Sequence, residues 1–153
     1  MRQTLNIESI NNMKIQQDPH PALYLVSTTV ESADYKTVAL RAMRALALLR
    51  KTNNGVGLAA NQIGDNRRWF VSQVFKVCIN PELIESSAET ETKEEGCLSK
   101  PGYKRMVKRS SVIRVRWINK GGKFVNRQLR GMSARIFLHE LDHLDGVNIW
   151  PHR

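Results

Sequence analysis

Only two cysteines, Cys78 and Cys97, occur among the 153 residues. That is too few for a disulfide scaffold, and both are expected as reduced thiols in a cytoplasmic protein. No apolar run is longer than Ala45 to Leu49, far short of the roughly 20 residues that cross a bilayer, so no membrane partner is expected. The first residues, Met1-Arg2-Gln3-Thr4-Leu5-Asn6, lack the apolar stretch of an export signal. Aromatic residues are scarce, at 7%, and do not interleave with the basic ones. This argues against a sheet that stacks RNA bases and against specific DNA binding. No repeat, low-complexity tract or linker divides the chain. One domain over residues 1–153 is therefore expected, large enough to bury a core without staples, and monomeric.

Acid is the minority charge, with 14 Asp and Glu against 24 Lys and Arg and a net charge of +10. Eleven of the basic residues lie between Lys100 and Arg130, and six of the acids between Glu82 and Glu95. The simplest reading is two solvated faces of opposite sign. The basic face is also a surface able to meet a ribosome.

Asp18-Pro19-His20-Pro21 marks a loop in a polar, irregular first 30 residues. Ser32 or Asp34 is positioned to cap a helix running to about Arg50, with Val38, Ala42, Ala45, Leu46 and Leu49 on its inner face and Asn53-Asn54-Gly55 ending it. Arg68 to Ile79 is rich in Trp, Phe and Val and predicts a strand broken by Asn80-Pro81. Ser111 to Ile118 alternates, with Ile113, Val115 and Trp117 opposite Arg114 and Arg116. Phe124 to Leu129 returns after Asn119-Lys120-Gly121-Gly122, predicting a hairpin. Ser133 then caps a last helix reaching about Asp145, with Gly146 as its stop. That helix is apolar on most faces and belongs in the interior, so the charges it carries need a reason.

The reason is His139-Glu140-Leu141-Asp142-His143. Residues four apart share a helix face, so two imidazoles can reach one ion, with Glu140 beside a water on it. A hydrolytic site usually adds a third protein ligand. A metzincin would place a histidine at position 149, where this chain has Ile149. The remaining candidates are His20, His152, Cys78 and Cys97. Cys78 lies in an apolar strand, His20 and His152 in polar end segments. Cys97 follows a glycine that lets the chain turn, and on chemistry it is the favoured candidate.

Three segments carry a resemblance. Gly55-Val56-Gly57-Leu58-Ala59-Ala60-Asn61-Gln62, Glu95-Gly96-Cys97-Leu98-Ser99 and the His139–His143 segment resemble, in order, the three motifs of the peptide deformylases. Weaker similarity runs from Pro19 onward through Ile79-Asn80-Pro81. The sequence departs from the pattern at Asn61, commonly proline, and at Leu138, commonly glutamine. Only ten residues follow His143, so the C-terminal extension of many relatives is not expected. The resemblance implies Cys97, His139 and His143 as ligands of one divalent metal ion. Fe(2+) is the implied natural metal, with Zn(2+), Ni(2+) or Co(2+) able to replace it.

It also implies removal of the N-formyl group from N-formylmethionyl nascent peptides. A water on the ion would attack the formyl carbon, with Glu140 as general acid and base. Gln62 and the Leu98 backbone N–H would donate to the oxyanion. The peptide would lie extended along Gly55, Val56, Gly57 and Leu58, and Leu98 and Ile136 would wall the methionine pocket. Asp142 and Arg135 are candidates to orient an imidazole or pair with each other, and Glu95 and Arg109 to form a buried ion pair. The expected fold is α+β, with mixed or antiparallel strands wrapped around a central metal-bearing helix, and an N-terminal helix. Two rivals stand beside this reading: a small metallopeptidase, and a non-catalytic RNA or ribosome binder on the same fold.

Overall fold

The computed structural model describes residues 12–151. His152 lies outside them. The fold is α+β, with two α-helices and antiparallel sheets among the described residues. Helix α1 is Tyr35–Arg50. It buries Val38, Ala42, Ala45, Leu46 and Leu49, the stripe that its helical spacing predicts. The cap differs from expectation. A 3-10 turn, Ser32–Asp34, leads into the helix, and Asp34 at the N-cap position makes no side-chain capping bond.

The glycine-rich segment is more ordered than a turn. It forms strand β1, Gly57–Ala59, followed by a 3-10 turn, Ala60–Ile63. The stretch expected as one strand is a tight hairpin of β2, Trp69–Ser72, and β3, Lys76–Ser86. Ser72 Oγ accepts from Phe75 N at 2.8 Å to close it. Asn80-Pro81 does not end β3. Asn80 takes a left-handed φ of 49°, the register shifts between Ile79 and Glu82, and the strand continues through this bulge. Asparagine tolerates that conformation, and its amide is occupied at both ends by Val30 N and O, at 2.8 Å each.

Strands β4, Thr90–Gly96, and β5, Lys104–Ser110, form a separate two-stranded hairpin that the sequence pattern does not announce. Strands β6, Val112–Ile118, and β7, Phe124–Arg130, form the expected hairpin, with Val115 opposite Arg127. The five-stranded sheet runs β1-β2-β3-β6-β7, every neighbouring pair antiparallel. Helix α2, Gly131–Leu144, starts two residues before Ser133, so Ser133 lies in its first turn and is not its cap.

Helix α2 packs against β1, β2, β5, β6 and β7. Phe137 anchors it. Its ring sits edge-on to Phe70 at 5.2 Å and Phe75 at 5.8 Å, with Trp117 at 5.9 Å. Residues 137 and 139 lie about 200° apart round a helix, so burying Phe137 against the sheet turns His139 away from it. The β4–β5 hairpin meets the helix on that other side. Among the described residues no helix is long and apolar enough to cross a membrane.

Candidate metal centre

Cys97 sits where β4 ends, at the start of a turn held by Lys100 N bonding to Cys97 O at 3.1 Å. His139 and His143 stand one turn apart on α2, with ring centroids 4.9 Å apart. The cysteine sulfur and one nitrogen of each imidazole lie within 4.8 Å of one another. Cys97 Sγ is 3.4 Å from His143 Nε2. This is the only group of three such donors among the described residues. The other candidates are elsewhere. Cys78 is buried in β3, where burial pushes its thiol well up. His20 uses Nδ1 to accept from Ala22 N at 3.1 Å at the head of a 3-10 turn.

An acid from the overlooked hairpin orients His139. Alternation along β4 points Glu95 inward, and its Oε1 lies 2.8 Å from His139 Nδ1. Burial raises a carboxyl, but hydrogen bonds from Arg109 and His139, with their charges, outweigh it here and hold Glu95 well below the ordinary carboxylate range. A carboxylate only accepts, so His139 Nδ1 must donate, leaving Nε2 for an ion. The Glu95–Arg109 pair is bidentate, with Nε to Oε2 at 2.7 Å and Nη2 to Oε1 at 2.8 Å. Arg135 Nη1 adds a third bond to Oε2 at 2.6 Å and also binds the Val107 carbonyl. Arg135 and Asp142 do not pair with each other, being seven positions apart on α2. Asp142 instead takes Arg109 Nη1 at 2.8 Å.

Glu140 is 3% exposed, and its Oε2 has no hydrogen-bond partner among the described residues. Burial raises its carboxyl to about 7, against the lowering charges of His139 and Arg109. His143, buried completely, is pushed well down by burial and by the charge on His139. His139 goes the other way. Burial opposes its charge, yet hydrogen bonds to Cys97 and Glu95 and the charge of Glu140 raise it to about 10. An ion taking Nε2 displaces that proton.

Backbone closeness explains one glycine. A Cβ on Gly57 would lie 2.7 Å from Glu140 Oε1, inside any real carbon–oxygen contact. Gln62 is buried beside them. Its Oε1 accepts from Ala59 N at 2.9 Å, so its amide nitrogen faces outward, to Ser99 Oγ at 3.0 Å and Cys97 Sγ at 3.5 Å. A cleft of about 410 Å³ opens over these groups. Its walls include Gly55, Val56, Leu98, Ile136 and Glu140. Leu58 is not among them; its side chain is wholly in the core, and only its backbone lies on the β1 edge. Tyr103 and Met132 also line the cleft and carry no sequence signal, although Met132 precedes Ile136 by one helical turn.

The sequence profile of the family described as polypeptide deformylase matches residues 12–152. The peptide deformylase of Thermotoga neapolitana is 50% identical over 99 residues, which are 63% of this chain and 60% of that protein. That of Pseudothermotoga lettingae is 42% identical over 136 residues, covering 88% and 78%. The matched stretch thus spans about 60% of the length of the Thermotoga relatives. Among solved structures, peptide deformylase from Thermotoga maritima is 37% identical with a TM-score of 0.79, covering 90% of this chain and 94% of that one. A deformylase from a Vibrio parahaemolyticus bacteriophage, solved with actinonin, is 32% identical with a TM-score of 0.79, covering 90% and 100%.

Proposed function

The chain belongs to the polypeptide deformylase family, and on that premise we propose that it hydrolyses the formyl group from the N-terminal formylmethionine of newly made polypeptides. One observation carries the reading. Cys97 Sγ and a nitrogen from each of His139 and His143 lie within 4.8 Å of one another, and Cys97 and His139 line a cleft that also holds the buried carboxyl of Glu140.

The donor set fits a divalent ion. One thiolate and two imidazoles leave room for solvent or substrate, and Glu140 Oε2 is a buried polar atom with no partner among the described residues. We assign Fe(2+) as the resident metal, with Zn(2+), Ni(2+) or Co(2+) able to fill the same three donors. Such an ion supplies Lewis acidity to the formyl oxygen and to the attacking water.

The chain's own groups do the rest. Glu140, raised to about 7, takes a proton from the water as it adds to the formyl carbon. It returns that proton to the methionine nitrogen as the C–N bond breaks, releasing formate and a free amine. The Gln62 amide and the Leu98 N–H donate to the oxyanion; losing one such donor raises a barrier by about 3 kcal/mol. Among the described residues, strand β1 is the last strand of its sheet, paired only with β2. Its other edge, with Gly55 and Val56 before it, lets an extended peptide pair as an added strand. Ile136 and Leu98 wall the methionine pocket.

Formate release from a formyl-Met peptide, with protein loaded anaerobically with Fe(2+), tests the reading. Release is expected, with no cleavage of the same peptide lacking formyl. Cleavage of internal peptide bonds in its place would favour a metallopeptidase. No reaction with metal bound would leave a binding protein.

A further inference from the structure

His139 has its orienting partner in Glu95, but His143 Nδ1, although fully buried, has none by hydrogen-bond geometry among the described residues. Its other nitrogen, Nε2, is the one 3.4 Å from Cys97 Sγ. If Nε2 serves an ion, Nδ1 must carry the proton, and a buried N–H without an acceptor is unfavourable. A second atom nearby has the complementary defect. Asn148 Oδ1 is buried and likewise has no bonded partner among the described residues.

The chain brings the two together. Val147 N bonds back to Asp142 O at 2.9 Å, and Gly146 turns with φ of 73°, where a Cβ would strike Tyr24 O at 2.8 Å. Past that turn, Asn148 Nδ2 donates to Leu23 O at 3.0 Å. This fixes which end of the carboxamide is the acceptor. The Asn148 side chain lies within reach of the His143 ring. Residues Ile149 and Trp150 then pack with Leu23 against Cys97, so this segment backs the whole centre.

We propose that Asn148 is a positioning residue: its carboxamide oxygen accepts the Nδ1 proton of His143 and holds Nε2 toward Cys97 and His139. The proposal rests on the metal-centre reading above. Asn148 supplies to His143, with a neutral amide, what Glu95 supplies to His139 with a charge. The same histidine is tied a second time, because Asn61 Nδ2 donates to the His143 carbonyl.

Zinc affinity, measured by chelator competition on the full chain, tests it. Loss of an outer partner of a ligating histidine weakens metal binding about 10- to 100-fold. That loss is expected for Asn148→Ala, with the metal-free melting temperature moved by no more than about 4 °C. Asn148→Asp keeps an acceptor and is expected to bind within tenfold of the parent. Binding by Asn148→Ala within about twofold of the parent, while Cys97→Ala loses zinc, overturns this proposal and leaves the metal centre standing. A parent chain that takes up no zinc overturns both. If Asn148→Ala does not fold, nitrogen NMR of the zinc-loaded parent decides. A slowly exchanging proton on His143 Nδ1, in contact with the Asn148 amide, supports the assignment; a freely exchanging or absent one overturns it.

Discussion

His139 and His143 are one helical turn apart, and they are held by opposite kinds of chemistry. Around His139 the partners are ionic: Glu95 is gripped by Arg109 and Arg135, and Arg109 reaches on to Asp142. Around His143 they are neutral amides, Asn61 on its carbonyl and Asn148 beside its ring. The contrast shows in the protons. The ionic side holds a proton on His139, while burial strips His143. A charged cluster fixes geometry firmly but depends on every member, because one lost partner leaves buried charge behind. A neutral clamp holds less tightly and can be altered without that penalty.

Removal of the group that both histidines flank should have the largest effect. Glu140→Ala is expected to lower formate release by at least about 10²- to 10⁴-fold, with zinc still bound. Near-normal turnover in that variant would detach Glu140 from the chemistry altogether.

Breaking the ionic side comes next. Glu95→Ala leaves Arg109 and Arg135 buried without their carboxylate, and is expected to destabilise the fold by about 3 to 5 kcal/mol in urea unfolding. A loss below about 1 kcal/mol would mean the ionic cluster is no stronger than a surface pair.

Gly57→Ala probes the seat of Glu140 rather than its charge. The added Cβ, 2.7 Å from Oε1, must displace the carboxylate, and turnover is expected to fall about 100-fold. Zinc affinity should stay at the parent value, since neither histidine is touched. Equal losses of metal and turnover would contradict this.

The smallest effect is an acid limb. Glu95 has a folded-state value below its unfolded one. Its stabilisation is therefore complete above the ordinary carboxylate range, near pH 4, and is lost as pH falls through the depressed folded value. Asp65 shares that sign. Burial raises it, but hydrogen bonds from Arg67 and the charges of Arg67 and Arg41 lower it further. Metal-free protein should lose about 2 kcal/mol between pH 5 and pH 2, and Glu95→Gln should flatten that slope. His143, held neutral by burial, adds to that loss, because it takes up a proton in the unfolded chain below its ordinary value and not in the folded one. A slope unchanged in Glu95→Gln would show that Asp65, the other acids and His143 carry the limb.

How much of this was readable beforehand depended on what each element buries. Helix α1 and the β6–β7 hairpin bury aliphatic residues at regular spacing, so periodicity revealed them. The β4–β5 hairpin does not. Beside Val107, its inward positions include Glu95 and Arg109, which satisfy one another instead of meeting apolar groups, and hydropathy alternation passes over such strands. Asn80-Pro81 misled for a related reason. A proline signals an end only if no bulge accommodates it, and Asn80 supplies the left-handed residue that makes one.

The motifs named residues that the structure does gather: Cys97, Gln62, His139, Glu140 and His143. They could not say that Glu95, 44 positions from His139, would orient it in place of Asp142. Nor did they place Leu58 in the core. Asn148 lies after the motif, in a segment whose packing only the turn at Gly146 decides.

The central claim is that Cys97, His139 and His143 share one ion. Cobalt titration of the metal-free chain tests it most directly, because a thiolate on Co(2+) gives its own charge-transfer absorption. The account predicts that band at one ion per chain, absent in Cys97→Ser and in His143→Ala. A parent that binds cobalt without the band, or a Cys97→Ser variant that binds it unchanged, would contradict it.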